Sequence, residues 1–338
     1  MKWKATIATL LCLSLIGCAS DPKQPQVDTA LYDGRPIDTL SLQEPPVTEK
    51  EAITRGDLAL SQNNVDLALY EYIRSLSFEN AQFRDKSLFN IGRIHQSRGN
   101  LALAEKAYLL GLKENPNNVQ VLEQLGVLYS TSGQTDTGFS YLLRSVNSDQ
   151  LRLNSTHQLS NEESITEADV EKLVIDASSP ANAYMGLGIL TDVKAKHELA
   201  QEFYNKALTI KPKSVKALIN VGYSYYMSGD YMTAQRFTLT ALDIAPSNEK
   251  ALNNLALIYL GKGETKRAVN VFMRQMDAAE ALNNVGYFLI LHGKPDQAIP
   301  YLEQAIDKKP TYYKVANENL ERALAEVREK SRNSEQQQ

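Results

Sequence analysis

Residues 217–246 read ALINVGYSYYMSGDYMTAQRFTLTALDIAP, and residues 251–275 read ALNNLALIYLGKGETKRAVNVFMRQ. The two align at an offset of 34 residues. In each, apolar residues recur at helical spacing on both sides of a glycine-centred break, which predicts two helices joined by a tight turn. A small residue falls where the helices would cross, Gly222 and Ala256. A glycine falls in the turn seven positions later, Gly229 and Gly263, and a small residue follows on the second helix, Ala234 and Ala268. Small side chains let two backbones approach, and glycine takes a turn conformation that bulkier residues resist.

The pattern extends in both directions. Crossing residues are Gly56, Gly92, Gly126, Gly188, Gly222, Ala256 and Gly286, at spacings of 36, 34, 62, 34, 34 and 30. Turn residues are Asn63, Gly99, Gly133, Ala195, Gly229, Gly263 and Gly293. Second-helix residues are Ala68, Ala104, Gly138, Ala200, Ala234, Ala268 and Ala298, and prolines end units at Pro116, Pro212, Pro246 and Pro310. A 34-residue helix–turn–helix period is that of the tetratricopeptide repeat (TPR). The expected fold is therefore all-α, a TPR superhelical solenoid of about seven repeats. N-terminal repeats occupy 49–146 and C-terminal repeats 181–310, followed by a capping helix over 311–330 and a polar, frayed tail over 331–338.

The spacing of 62 exceeds one period by 28 residues, and residues 147–180 hold seven acidic side chains against Arg152 and Lys172. Thr166 and Asp169, followed by Val170, Leu173 and Val174, predict a capped short amphipathic helix. The stretch is either a degenerate repeat or an acidic insertion dividing the solenoid into two halves.

Residues 1–17 have the form of a signal peptide. Lys2 and Lys4 form a basic start, and the apolar run Ala5–Ile16 is shorter than the roughly 20 residues of a membrane span. Leu15–Cys18, LIGC, matches a bacterial lipobox, in which the thiol carries diacylglycerol and the small residue before it permits cleavage. Cys18 is thus the expected lipidation site, and triacyl modification suffices for stable anchoring. Ala19 and Ser20 follow it without an aspartate, which by the usual sorting rule predicts an outer-membrane protein facing the periplasm. Residues 18–48 then read as a Pro-rich tether, carrying Pro22, Pro25, Pro36, Pro45 and Pro46. As a flexible coil, thirty such residues span roughly 30 Å.

Composition excludes several classes of function. The net charge of −4 becomes −6 once Lys2 and Lys4 are removed, which is unsuited to neutralising nucleic-acid phosphates. Cys12 and Cys18 are the two cysteines, so the repeats can hold neither a disulfide nor a cysteine zinc site. GKGETK at 261–266 lacks the spacer and preceding strand of a phosphate loop. His95, His157, His197 and His292 are scattered over different repeats, His95 at a core-type position and His292 beside a turn, so no metal or other cofactor is expected. Ser155 and His157 lie in the polar 147–180 stretch without a nucleophile elbow, and the chain reads as a non-enzyme.

What remains is a surface. First helices line the concave groove of a TPR array. Two positions before the crossing residue stand Asn90, Gln124, Asn220, Asn254 and Asn284. An amide both donates and accepts, so a row of them suits the backbone of an extended peptide. Asn253, Asn283, Tyr223, Tyr226 and Tyr287 lie nearby, and tyrosine adds apolar contact area with a hydroxyl. Frequent Asn at this TPR position would account for the row equally. Tyr129, Tyr225 and Tyr259 fall at core positions.

The C-terminal half carries a resemblance. NVGYSYYMSGDY, ALNNLALIYLGKGETKRAVNVFMRQ, MDAAEALNNVGYFLILHGKPDQAIPYLEQAI and PTYYKVANENL, together covering about residues 181–325, resemble the TadD family of TPR lipoproteins of tight-adherence (Flp) pilus systems. The shared feature of greatest weight is the 30-residue spacing, where a second helix runs directly into AEALNNVGY. The resemblance implies an outer-membrane, pilotin-like factor that helps the secretin, or another pilus-assembly component, reach or assemble in the outer membrane. Among the family's functional residues, Cys18 alone carries over. The alternative is a general cell-envelope adaptor recruiting proteases or peptidoglycan enzymes.

Overall fold

A computed structural model describes residues 29–35, 44–309 and 311–335; Cys18 and the leader lie outside them. The described residues contain sixteen α-helices and no strand. None of these helices is long and apolar enough to cross a membrane. The chain divides into two compact units, residues 1–107 and 108–338.

Unit 1 carries α1 (Glu49–Ser61), α2 (Val65–Ser75), α3 (Arg84–Ser97) and the first part of α4 (Leu101–Glu114). Unit 2 continues with α5 (Val119–Thr131), α6 (Thr135–Arg152), the short α7 (Glu167–Glu171), α8 (Ala181–Val193) and α9 (His197–Ile210). It then holds α10 (Val215–Met227), α11 (Tyr231–Ile244), α12 (Glu249–Gly261), α13 (Thr265–Phe272), α14 (Ala278–Leu291), α15 (Pro295–Lys308) and α16 (Lys314–Glu335).

All seven predicted turn residues have left-handed backbone. The glycines lie at φ +70° to +86°, and Asn63 and Ala195 at +59° and +57°. At six of these turns the next residue donates back to a carbonyl five positions earlier, as Glu264 does to Tyr259 (2.7 Å) and Lys294 to Leu289 (2.9 Å). Orphan carbonyls at the helix end are satisfied in this way. Several first helices begin on side-chain caps, with Asn118, Ser214 and Asn248 accepting from the amides of Val121, Ala217 and Ala251, whereas Phe83 ahead of α3 and Pro180 ahead of α8 supply none. Such caps stabilise a helix by about 1 kcal/mol each.

The crossing positions are small because a partner sits against them sixteen residues later. A Cβ on Gly56 would meet the Tyr72 ring at 2.8 Å, one on Gly188 the Tyr204 ring at 2.6 Å, and one on Gly286 the Leu302 side chain at 2.5 Å. Two buried glutamates stitch successive repeats. Glu49 on α1 accepts from the amides of Gln82 and Phe83 ahead of α3 (2.7 and 2.9 Å). Glu123 on α5 accepts from those of Asn182 and Ala183 at the start of α8 (2.9 and 3.1 Å).

Three regions differ from a plain array. Residues 147–180, expected as a degenerate repeat or a dividing acidic insertion, hold the end of α6, a 3-10 turn and the short α7. Their first residues lengthen α6, and the rest packs into one core with the repeats on either side. Leu159, Ile165, Val170 and Leu173 are buried together with Leu142, Tyr184, Leu187 and Phe203. The buried Gln150 amide pairs with both backbone groups of Val174 (2.8 and 3.1 Å), and Asn147 does the same with Leu159. The capping box of Thr166 and Asp169 is present. Secondly, α13 has eight residues where α11 and α15 have fourteen, and it ends in a turn before the Asp277-capped α14 rather than running straight into it. Thirdly, α16 continues to Glu335, beyond the residue where the polar tail was expected to fray.

Within the stretch expected as a flexible coil, residues 29–35 are docked on unit 1. Thr29–Leu31 is a 3-10 turn, and Leu31 is 1% exposed.

Candidate protein-binding face

In unit 2 the first helices α8, α10, α12 and α14 neighbour one another in series. The predicted groove residues meet different fates on that face. Asn254 Nδ2 donates to the Ile219 carbonyl (3.3 Å), which pegs α12 to α10. Asn283 is 6% exposed, and its Oδ1 accepts from Asn319 on α16 (2.9 Å). Asn284 Nδ2 faces the Met276 sulfur at 3.2 Å, and Asn253 Oδ1 accepts from Gln275 (3.4 Å). Asn90 belongs to unit 1 and is 8% exposed. Most of the amide row thus bonds within the protein or is buried.

Asn220 differs. Its Nδ2 is buried and has no hydrogen-bond partner. It lines a cavity of about 330 Å³ between α8, α9 and α10, with Tyr223, Met227, Val193, Ile189 and the Asp192 network around it. Tyr223 is 42% and Met227 47% exposed. An unsatisfied donor inside a mostly apolar recess is what an incoming carbonyl would complete. Val193 and Met227 were missed by the sequence reading, although each is the last residue of its helix in the 34-residue register.

Tyr226 stands at the centre of an aromatic group, with ring centroids 5.9 Å from Tyr223, 5.8 Å from Tyr231 and 6.4 Å from His292. Its hydroxyl lies 2.9 Å from His292 Nε2, which links the fifth repeat to the end of α14. Burial, together with Tyr231 and Tyr223, pushes the Tyr226 hydroxyl up to about 12. Burial, with Lys294 nearby, holds His292 below the ordinary histidine range. Tyr287 is exposed on α14.

Asp192, His197 and Ser224 also meet here. Asp192 Oδ1 accepts from His197 Nδ1 (2.8 Å) and Ser224 Oγ (2.8 Å), and its Oδ2 accepts from the Tyr204 hydroxyl (2.9 Å). The serine bonds to the carboxylate instead of the imidazole, so this geometry lacks the serine-to-histidine hydrogen bond that activates a nucleophile. It is a polar brace holding α8, α9 and α10 together. Ser155 does not engage the His157 imidazole either: its Oγ accepts from the His157 backbone amide (3.2 Å), and the ring bonds the Asp169 carbonyl (2.9 Å). Among the described residues no group of His, Cys, Asp or Glu could hold a metal ion.

TPR family models match residues 85–118, 181–214 and 279–312, and further ones match 203–236 and 251–286. The chain is a tetratricopeptide-repeat protein, of a fold that typically serves as a scaffold for protein interaction. Among solved structures it is similar to PilW, a type IV pilus biogenesis factor, at 11% identity and a TM-score of 0.51, over 68% of this chain and 93% of that one. It is similar to a chain of the APC/C hetero-tetramer Cut9–Hcn1 at 13% identity and a TM-score of 0.50, over 83% of this chain and 49% of that one. PilF of Pseudomonas aeruginosa matches at 14% identity and a TM-score of 0.49, over 67% and 90%. At these identities the likeness is one of fold. No curated protein matches the chain.

Proposed function

We propose that the protein is a lipid-anchored, non-enzymatic assembly factor of the outer membrane that binds a segment of a pilus-secretion component, foremost the secretin, on the open face of unit 2. The observation that carries the binding role is the recess at Asn220, where a buried, unpaired amide donor lies beside the exposed Tyr223 and Met227. The backbone of an extended client would supply the missing acceptor, and an apolar side chain would fill the cavity. Asn220, Tyr223, Tyr226, Asn253 and Tyr287 remain the groove residues of this reading.

The pilus role is supported by the resemblance of residues 181–325 to TadD lipoproteins, and the location by LIGC at 15–18. PilW has this fold, and at 11% identity it supports the architecture alone. Anchoring at Cys18 would raise the local concentration of a membrane-bound client without demanding high intrinsic affinity.

The test is the amount and membrane fraction of heat-resistant secretin multimer in cells lacking the gene, restored with wild type, Cys18→Ala or Tyr223→Ala with Met227→Ala. Loss on deletion, rescue by wild type and failure of both variants is the expected outcome. Normal multimer in the deletion strain would overturn the pilotin-like reading and favour a general envelope adaptor.

A further inference from the structure

Residues 29–35 are held like a bound peptide. The Leu31 side chain is buried against unit 1, and its carbonyl accepts from Nε2 of the fully buried His95 at 2.9 Å. Asp33 accepts from Arg98 (2.8 Å) and Asn100, and Arg35 donates to Asp66 (2.8 Å), which Arg98 also binds. Tyr32 stands edge-on to Tyr70 at 6.2 Å. A linker that merely crosses a surface leaves its ordering entropy uncompensated. Here an apolar anchor and alternating charges engage α2, the end of α3 and the turn into α4 in register.

We infer that residues 31–35 form a clip that sets how far the repeats stand from the membrane, an inference resting on lipidation at Cys18. Glu49 at the start of α1 lies 31 positions after Cys18, and Leu31 lies 13 positions after it. At roughly 3.5 Å per residue the first path reaches at most about 110 Å and the second about 45 Å. With the clip seated, the attachment point on unit 1 cannot lie farther than the shorter reach from the lipid. Opening the clip releases the longer one, so the strength of the Leu31 and Asp33 contacts governs where the anchor can present the repeats.

The test has two arms on the full processed chain. Hydrogen exchange of residues 29–35 is slow in wild type and becomes fast in Leu31→Asp, and also in Asp33→Ala with Arg35→Ala, a variant that leaves the buried Leu31 site intact. In vesicles carrying the lipidated protein, a fluorophore on Lys50→Cys transfers energy to acceptor-labelled headgroups, and transfer is partly lost when the clip is opened. Fast exchange in wild type overturns the clip. Unchanged transfer in variants whose exchange shows the clip open overturns its control of distance. Failure of wild type to associate with vesicles overturns the anchor and the standoff together; it is told apart from failure of the clip because exchange requires no membrane.

Discussion

Ala195 holds φ +57°, a backbone conformation that costs a side-chain-bearing residue roughly 1–2 kcal/mol, whereas five of the other turns place glycine there. Ala195→Gly should therefore raise stability by about 1 kcal/mol, read as a higher urea midpoint with an unchanged slope. Gly126→Ala should do the reverse. Its Cβ would lie 2.5 Å from the Leu142 side chain and 2.9 Å from the Leu142 backbone nitrogen, and overpacking of that kind costs about 1–3 kcal/mol. Both small residues were legible as small in the sequence, the one from turn chemistry and the other from helix crossing. What was not legible was where the groove amides point their hydrogen bonds. Helical spacing assigns Asn283 and Asn254 to a face, but their partners, Asn319 on α16 and the Ile219 carbonyl, are about a repeat away and set by packing.

Elements that obey the 34-residue period were readable because they repeat the same crossing and left-handed turn. Residues 147–180 follow no period, and their placement is fixed by side-chain amides reading backbone groups 12 and 24 residues away, contacts that leave no spacing signature. Gln150 is the sharpest case, fully buried with both amide atoms satisfied by Val174. Gln150→Ala should cost about 1–3 kcal/mol by stranding those backbone groups, and it should speed hydrogen exchange over 159–176 before the rest of unit 2. The docked residues 29–35 escaped the sequence reading for a related reason. A lone leucine among polar residues carries no periodicity, and the segment's partners lie far along the chain, Asp66 at a separation of 31 and His95 and Arg98 at 64 and 65. Beyond Lys330 the polar composition predicts fraying; residues 331–333 are exposed and simply continue the helix that Ala316 and Ala323 seat, with the Ser331 hydroxyl donating to the Val327 carbonyl (3.1 Å).

Across the larger unit, the contact between Tyr226 and His292 joins helices that are not sequence neighbours, and burial of the imidazole there, with Lys294 nearby, makes stability depend on pH. His292 is held below its ordinary range in the folded protein, so unfolding favours proton uptake. The stability is complete above the unfolded value of about 6.5 and is lost as pH falls from there toward the folded value. The urea midpoint should drop between pH 7.5 and 5.5, and His292→Gln should flatten the drop. The two glutamate stitches bear on how melting spreads along such a chain. A repeat array behaves as a row of units whose cooperativity resides in nearest-neighbour coupling. Glu49 supplies such coupling from α1 to the start of α3, and Glu123 supplies it from α5 to the start of α8. The second of these joins residues 59 apart and lies outside the aperiodic stretch that it spans. The break in the sequence period between the third and fourth repeats is therefore not a break in coupling, and those repeats should open as one block even when the intervening loop frays.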